Sequence, residues 1–442
     1  MDAAVEINRR TWKREASVLI ISDRWGHSFQ GGIPTALRIL ASFFRSFRMS
    51  TYCTVLQKTH EEEKEAKIFD VKLICPEPRG SLQRTKPDST WLLSHEAHFQ
   101  NLKTRARDID VVLGFGLTTS EAAMFIKDLE FRNAKYYIAN LWPLDEILEI
   151  PGIIGCDRHE LEKRIDMFSE ELSKAKILIS MDQNTFEYCF QMHSIPTCTL
   201  VQIMAQPSKR YYDLKPPKLP ENDNPTFRIL SFLEEHDVDE LRSHRVIANA
   251  MNLVAEDFKS MNKTPPKWKI LGVPEGKDRL IRKKLKPHSH LNVIPMCLPT
   301  VKQIEQELQS SHLVLIPESP GMNSLNLLLS VMAVGIPLIT KRYSPCHNLI
   351  KKLVANKVNI EHMLTSMNPD DTQELRQKIV HMLCNFPCRV QSALKVKACL
   401  MESAGQLSES CNRAFEEEIK TDIRTGHICF AIQQSAEFVI SK

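Results

Sequence analysis

Residues Ser311–Arg342 read SHLVLIPESPGMNSLNLLLSVMAVGIPLITKR. Two short apolar runs within it, His312–Ile316 and Ile336–Thr340, do not alternate between polar and apolar residues. A strand without alternation has both faces covered, as in a parallel sheet. Between the runs, Pro317–Gly321 has the composition of a tight loop. Met322–Val334 has almost no polar face and predicts a helix packed inside the protein. Gly335 followed by Pro337 stops that helix and re-enters the sheet. The stretch is a βαβ unit whose loop lies at the carboxyl edge of a strand, where α/β sheets bind ligands.

The same alternation of strand and helix runs outward in both directions. Toward the N-terminus it predicts strands at Ser17–Ser22, Thr51–Leu56, Asp70–Cys75, Asp110–Leu113, Lys135–Ala139 and Ala175–Ser180. The charged stretch HEEEKEAKIF reads as a helix, as do Ile33–Phe47 and Arg158–Lys174, while Pro76–Ser94 reads as a long loop. Further strands are expected at Phe227–Phe232, Trp268–Gly272 and Leu291–Pro295, with helices at Val301–Ser310, Cys346–Val358, Asp371–Asn385 and Phe386–Cys399. Gln206–Thr226 is dense in proline and charge without periodicity, which marks a linker. The expected architecture is α/β, with two doubly wound Rossmann-like domains facing a cleft. Their bounds are 1–205 and 227–415, joined by a linker at 206–226 and followed by a helical tail at 416–442 that could cross back.

Composition narrows the class. At 442 residues the chain is too long for one ordinary core, and 43% hydrophobic with 25% charged residues describes a globular protein. A formal net charge of +4 on that length indicates no nucleic-acid or membrane preference. The locally basic run Arg279–Lys286 reads as a solvated helix face or an anion site. The N-terminus has no apolar signal segment and no apolar run reaches spanning length, so a cytoplasmic protein without a membrane span is expected. The 12 cysteines lack framework spacing, which suits reduced thiols. His381, Cys384 and Cys388 share a helical face without a fourth ligand, so plain helix packing and no metal is the expectation. Gly114-Phe115-Gly116 lacks the third glycine of a dinucleotide fingerprint, with Thr119 in its place, which argues against a nicotinamide or flavin enzyme.

Pro317 and MAVGIPLI (Met332–Ile339) resemble the nucleotide-sugar element of retaining GT-B glycosyltransferases of the group 1, or family 4, type. The resemblance covers roughly Ser17–Phe415. At the start of the chain, Ser22, Asp23, Trp25, Gly26, Gly31 and Gly32 match animal glycosyltransferase-like domains that open with S-D-x-W-G before a Gly pair. Gly31-Gly32 would lie beside the substrate in such a protein, although the pair also serves a tight turn.

The resemblance implies where chemistry would sit, and there the residues differ. Counting back from Gly335 places Ser330 and Met322 where the family has two Glu residues that contact ribose and sugar. Asn323, Ser324 and Leu325 replace the glycine-aromatic-glycine that follows the first Glu. Asn140 takes the place of a His near the donor sugar, with Pro143 keeping the frame, and Phe115 takes the place of a His that members often carry between the two glycines. Leu233-Glu234 replaces Gly-Arg, and Arg242-Ser243 replaces Lys-Gly, the cation pair that holds the diphosphate. Arg242 keeps one charge and Glu234 reverses the other. The remaining substrate-binding candidates are Gly31, Gly32, Arg242, Glu318, Gly321 and Asn323.

Two functions follow from the resemblance. One is a degenerate relative that binds a nucleotide or phosphosugar weakly, or acts as an interaction module. The other is an active retaining enzyme using a nucleotide-diphosphate sugar. Retaining members need no metal, and no cofactor is expected. The balance favours the degenerate relative, because losing the His, the Arg and both Glu positions removes groups that each contribute on the order of 3 kcal/mol. Similar domains occur beside signalling modules, and this chain offers no cue to a protein partner.

Overall fold

The computed structural model of the chain describes residues 16–75 with short breaks, 108–140, 170–180, 199–202, 209–218, 226–233, 241–297, 301–316, 322–354, 357–365 and 371–403, plus isolated positions. The chain divides into two compact units, the first of 1–27, 36–204 and 412–442 and the second of 28–35 and 205–411. Expectations for 76–94, 140–162 beyond Asn140, and 404–442 lie outside the described residues.

The first unit is a parallel seven-stranded sheet. Its strands are β1 (Ser17–Ile20), β2 (Ser50–Thr54), β3 (Val71–Ile74), β4 (Val111–Phe115), β5 (Lys135–Asn140), β6 (Ile177–Ser180) and β7 (Thr199–Gln202), in the order β3-β2-β1-β4-β5-β6-β7. Every residue of β1, β4 and β6 is buried, so the lack of alternation in their sequences reflects two covered faces. The acidic stretch after β2 becomes the helix His60–Ile68 because it carries a capping box. Thr59 Oγ1 accepts from Glu62 N–H at 3.1 Å, and Glu62 Oε2 accepts from Thr59 N–H at 2.8 Å.

The second unit is a parallel six-stranded sheet. It contains β8 (Arg228–Phe232), β9 (Lys267–Val273), β10 (Asn292–Cys297), β11 (Leu313–Ile316), β12 (Leu338–Lys341) and β13 (Leu364–Thr365), ordered β10-β9-β8-β11-β12-β13. The βαβ unit is β11, the helix Met322–Val334 and β12, and Leu327–Val334 are buried throughout. The helix ends at Gly335 with φ +87°, where an added Cβ would lie 3.0 Å from Leu394. A core of Ile229, Ile247, Met251, Phe258, Trp268 and Phe386, among others, lies beneath the sheet, each large side chain worth about 1.5–3 kcal/mol of burial. Asp257 and Arg376 make a two-pronged ion pair joining the helices Arg242–Ser260 and Thr372–Cys384.

Some elements differ from the sequence reading. Strands β7 and β13 were not expected; β13 has only two residues, too few to carry a pattern. Lys209–Asp213, within the proline-rich stretch read as a linker, is a short helix with Tyr211 buried. The helix expected to reach Val358 ends at Val354. The basic run forms the helix Asp278–Leu285, burying Ile281 and Leu285 and leaving Arg279, Arg282 and Lys283 exposed. Cys384 and Cys388 are exposed, so that face does not pack into the core as expected.

Candidate functional site

Both sheets reverse direction beside their first strand, between β1 and β4 and between β8 and β11. Ligands of doubly wound sheets bind outside the carboxyl ends of the strands at such points. Residues 27–31 follow β1, 234–240 follow β8 and 317–321 follow β11, so Gly31, Glu234, Glu318 and Gly321 lie outside the described residues. Gly32 opens the helix Gly32–Ser46. Arg242 opens the helix Arg242–Ser260, and Met322 and Asn323 open the helix Met322–Val334; the placement of these three is described for the backbone only. Helix starts at these edges bring the partial positive charge of the helix dipole to them.

In the first unit the residues matched at the start of the chain have a structural task. Trp25 is fully buried, and the Arg38 guanidinium lies 5.0 Å from its ring centroid. Arg38 also donates to the Gly26 carbonyl at 2.5 Å and to both Glu65 carboxylate oxygens at 3.0 and 2.7 Å. Gly26, at φ +61°, donates its N–H to Glu62 Oε1 at 2.9 Å, so the capping box of the helix His60–Ile68 also holds this loop. Ser22 N–H donates to Thr54 Oγ1 at 3.0 Å, and the Thr54 hydroxyl donates to the Ser22 carbonyl at 3.1 Å. The chain leaving β1 is thus held by buried, charge-assisted bonds just before the Gly pair. Sequence reasoning missed Arg38, on the helix that starts at Gly32, and Glu62 and Glu65, on the helix after β2.

Within β4, Gly114 is required by packing. A Cβ there would lie 2.6 Å from Ser120 Cα and 2.7 Å from the Thr119 carbonyl, so strand and helix touch backbone to backbone. Thr119, where a third glycine was absent, accepts from Phe115 N–H at 2.8 Å and donates to the Ile21 carbonyl at 2.7 Å, tying β1 to the start of the helix Gly116–Glu130. Phe115 is buried, and Asn140 ends β5 at 2% exposure, with its Oδ1 facing Gly116. Below them the Ser120 hydroxyl lies against both the Gly116 carbonyl and Glu171 Oε2, and Tyr136 donates to the Ser120 carbonyl at 2.8 Å. A hydroxyl has one hydrogen, so both contacts of Ser120 are satisfied together when Glu171 is protonated and donates to it. Burial drives the Glu171 carboxyl up to about 7, in agreement.

In the second unit Ser330 is fully buried and hydrogen-bonded to the Tyr211 side chain. Burial pushes the Tyr211 phenol up to about 12, so it is neutral. The position that the resemblance assigns to a ribose-binding carboxylate is thus a buried serine beside a neutral phenol. On β8, Ser231 Oγ accepts from Trp268 Nε1–H at 2.9 Å and lies 3.4 Å from His244 Nε2, and the His244 ring stacks on Trp268. His244 sits in the first turn of the helix that Arg242 opens, and no sequence pattern singled it out. That helix is entered through Leu241, a buried non-glycine residue at φ +51° whose strained backbone its packing retains. Among the described residues no group of three His, Cys, Asp or Glu could hold a metal, and no helix is long and apolar enough to cross a membrane.

The organisation of each unit is shared by solved glycosyltransferases. Sucrose-phosphate synthase from Thermosynechococcus elongatus is 11% identical with a TM-score of 0.62, over 90% of this chain and 100% of that one. HepE from Anabaena, solved with UDP-glucose, is 13% identical with a TM-score of 0.58, over 90% and 99%. A trehalose-6-phosphate protein from E. coli, bound with UDP-2-fluoro glucose, is 13% identical with a TM-score of 0.58, over 88% and 96%. At such identities the likeness establishes the GT-B fold. No curated protein matches the chain. The family described as family 4 glycosyltransferase in conflict systems matches residues 19–409, nearly the whole of the two units. The chain belongs to this family of family 4 glycosyltransferases in conflict systems.

Proposed function

We propose that the protein binds a nucleotide-diphosphate sugar, or its nucleotide, at the carboxyl edge between β8 and β11 and does not turn it over by the retaining mechanism. The observation that carries this reading is Ser330, buried and bonded to Tyr211 where the resemblance calls for a carboxylate. Binding needs less than catalysis. The starts of the helices Arg242–Ser260 and Met322–Val334 bring positive dipole ends to this edge, which suits a diphosphate, and Arg242 belongs to the first of them. Solved relatives holding UDP-glucose and UDP-2-fluoro glucose support a uridine nucleotide as the first candidate. Catalysis would also need groups that strengthen in the transition state, and Ser330 and Asn140 carry no charge to supply them. The exposed thiols Cys297, Cys384 and Cys388 suit a reducing compartment such as the cytoplasm. Calorimetric titration with UDP, GDP and ADP sugars, followed by assay for released sugar, tests the reading. Binding without release agrees with it, and transfer or hydrolysis at enzymatic rates overturns it in favour of an active retaining glycosyltransferase.

A further inference from the structure

The outer edge of the second sheet gathers basic side chains that the proposed binding reading does not use. The short 3-10 turn Glu361–Met363 leads into β13 and supplies His362. The helix Thr372–Cys384 supplies Lys378 and His381, and the helical residues 386–403 supply Arg389. Arg389 Nη2 donates to His381 Nε2 at 2.8 Å, and Lys378 Nζ donates to the Glu361 carbonyl at 2.6 Å. Two nitrogens in this group, His362 Nε2 and Arg389 Nε, are buried and have no hydrogen-bond partner. The acids nearby are already engaged: Glu361 and Glu374 both turn to Arg342, at 2.9 and 3.6 Å. Among the described residues neither Lys378 nor Arg389 has a carboxylate within ion-pair distance.

Such an arrangement is costly without a ligand. A buried guanidinium N–H left unsatisfied forfeits more than an ordinary hydrogen bond contributes. Burial first, then Arg389, Lys378 and His381, lower the His362 pKa to about 4, and burial, Arg389 and Lys378 lower that of His381. These shifts favour neutral imidazoles, so the positive charge of the group rests on Lys378 and Arg389. An oxyanion could accept from Arg389 Nε and His362 Nε2 and would offset the charge of Arg389 and Lys378.

We propose that His362, Lys378, His381 and Arg389 form a binding site for a phosphate group, carried by inorganic phosphate or by a small phosphomonoester. In the sheet order β8-β11-β12-β13 the site lies two strands beyond β11, separate from the edge between β8 and β11. It therefore stands or falls independently of nucleotide-sugar binding. A bound phosphate also favours protonation of His362, so binding takes up a proton.

The test uses the full chain, titrated with inorganic phosphate at about pH 6.5 and constant ionic strength, followed by thermal unfolding and by the NMR signal of the His362 ring. The expected result is a saturable rise in Tm, with the His362 signal moving toward its protonated position. Arg389→Met and Lys378→Gln should each weaken binding about tenfold or more, leaving UDP titration unchanged. Lys378→Gln, on a partly exposed side chain, keeps the test open should Arg389→Met fail to fold. Glycerol 3-phosphate separates the sources: equal affinity assigns the site to the phosphate group alone, and tighter binding assigns it to an ester. No saturable response up to millimolar phosphate, or a response equal in the wild type and both variants, overturns the proposal.

Discussion

Tyr211 and Ser330 are hydrogen-bonded inside the second unit, joining the short helix Lys209–Asp213 to the helix of the central βαβ unit. Both are almost completely buried, at 4% and 0% exposure. A carboxylate at Ser330 would lose its hydration beside the Tyr211 phenol.

Ser330→Glu should therefore destabilise the protein by about 3 kcal/mol or more, since it places a larger, charged side chain at a fully buried position. Tyr211→Phe should cost about 1 kcal/mol, the worth of one ordinary hydrogen bond. Urea denaturation measures both. A Ser330→Glu variant as stable as the wild type would mean that the position opens to solvent or to a ligand.

The βαβ unit was legible because a strand covered on both faces and an all-apolar helix leave a composition that few other arrangements explain. The bounds of β11 and β12 moved by only one or two residues from those expected. Ser330 could be placed by counting back from Gly335, but its partner could not. Tyr211 lies far away in sequence, in a stretch whose prolines and charges read as a linker, and five helical residues are too few to show a period. Trp25 and Gly26 were legible as a motif while their cause was not. The residues that hold them, Arg38, Glu62 and Glu65, look like surface charges on amphipathic helices until the sheet brings those helices together.

Arg38 ties Trp25, Gly26 and Glu65 together at 7% side-chain exposure. Arg38→Met should destabilise the first unit by about 2–4 kcal/mol, because it leaves the Glu65 carboxylate and the Gly26 carbonyl without their donor. Arg38→Lys should recover only part of this, as an ammonium cannot reproduce the forked bonds or the stacking on Trp25. Chemical denaturation of the two variants measures the difference, and equal stabilities would contradict the account.

Glu171 makes stability depend on pH in a direction unusual for a carboxylate. Its folded pKa, about 7, lies above the ordinary value of 4.5, so the folded state binds the extra proton between these values. Stability should be fullest below pH 4.5 for this group and fall as pH rises toward 7 and beyond, by about 3 kcal/mol in all. Glu171→Gln keeps the shape without the charge. It should raise Tm at pH 8 and change it little at pH 5, and a flat difference across that range would count against the buried proton.

His312 works in the opposite sense. It accepts from Arg228 N–H at 3.0 Å, packs against Phe227 and Phe386, and is held neutral with its pKa lowered to about 4, chiefly by burial. The unfolded chain takes up a proton at a higher pH than the folded one. This contribution is thus complete above pH 6.5 and lost as pH falls toward 4, by about 3 kcal/mol. His312→Asn should remove the acid sensitivity of the second unit at some cost in packing, read from acid titrations of fluorescence from Trp268.

The most direct test of the account is calorimetric titration of the full chain with UDP-glucose, with the same sample then assayed for free glucose and UDP. The account predicts saturable binding at micromolar to millimolar strength, with release no faster than in the absence of protein. Turnover at an ordinary enzymatic rate, about 1 per second or faster, would contradict it and show that chemistry proceeds without the two carboxylates.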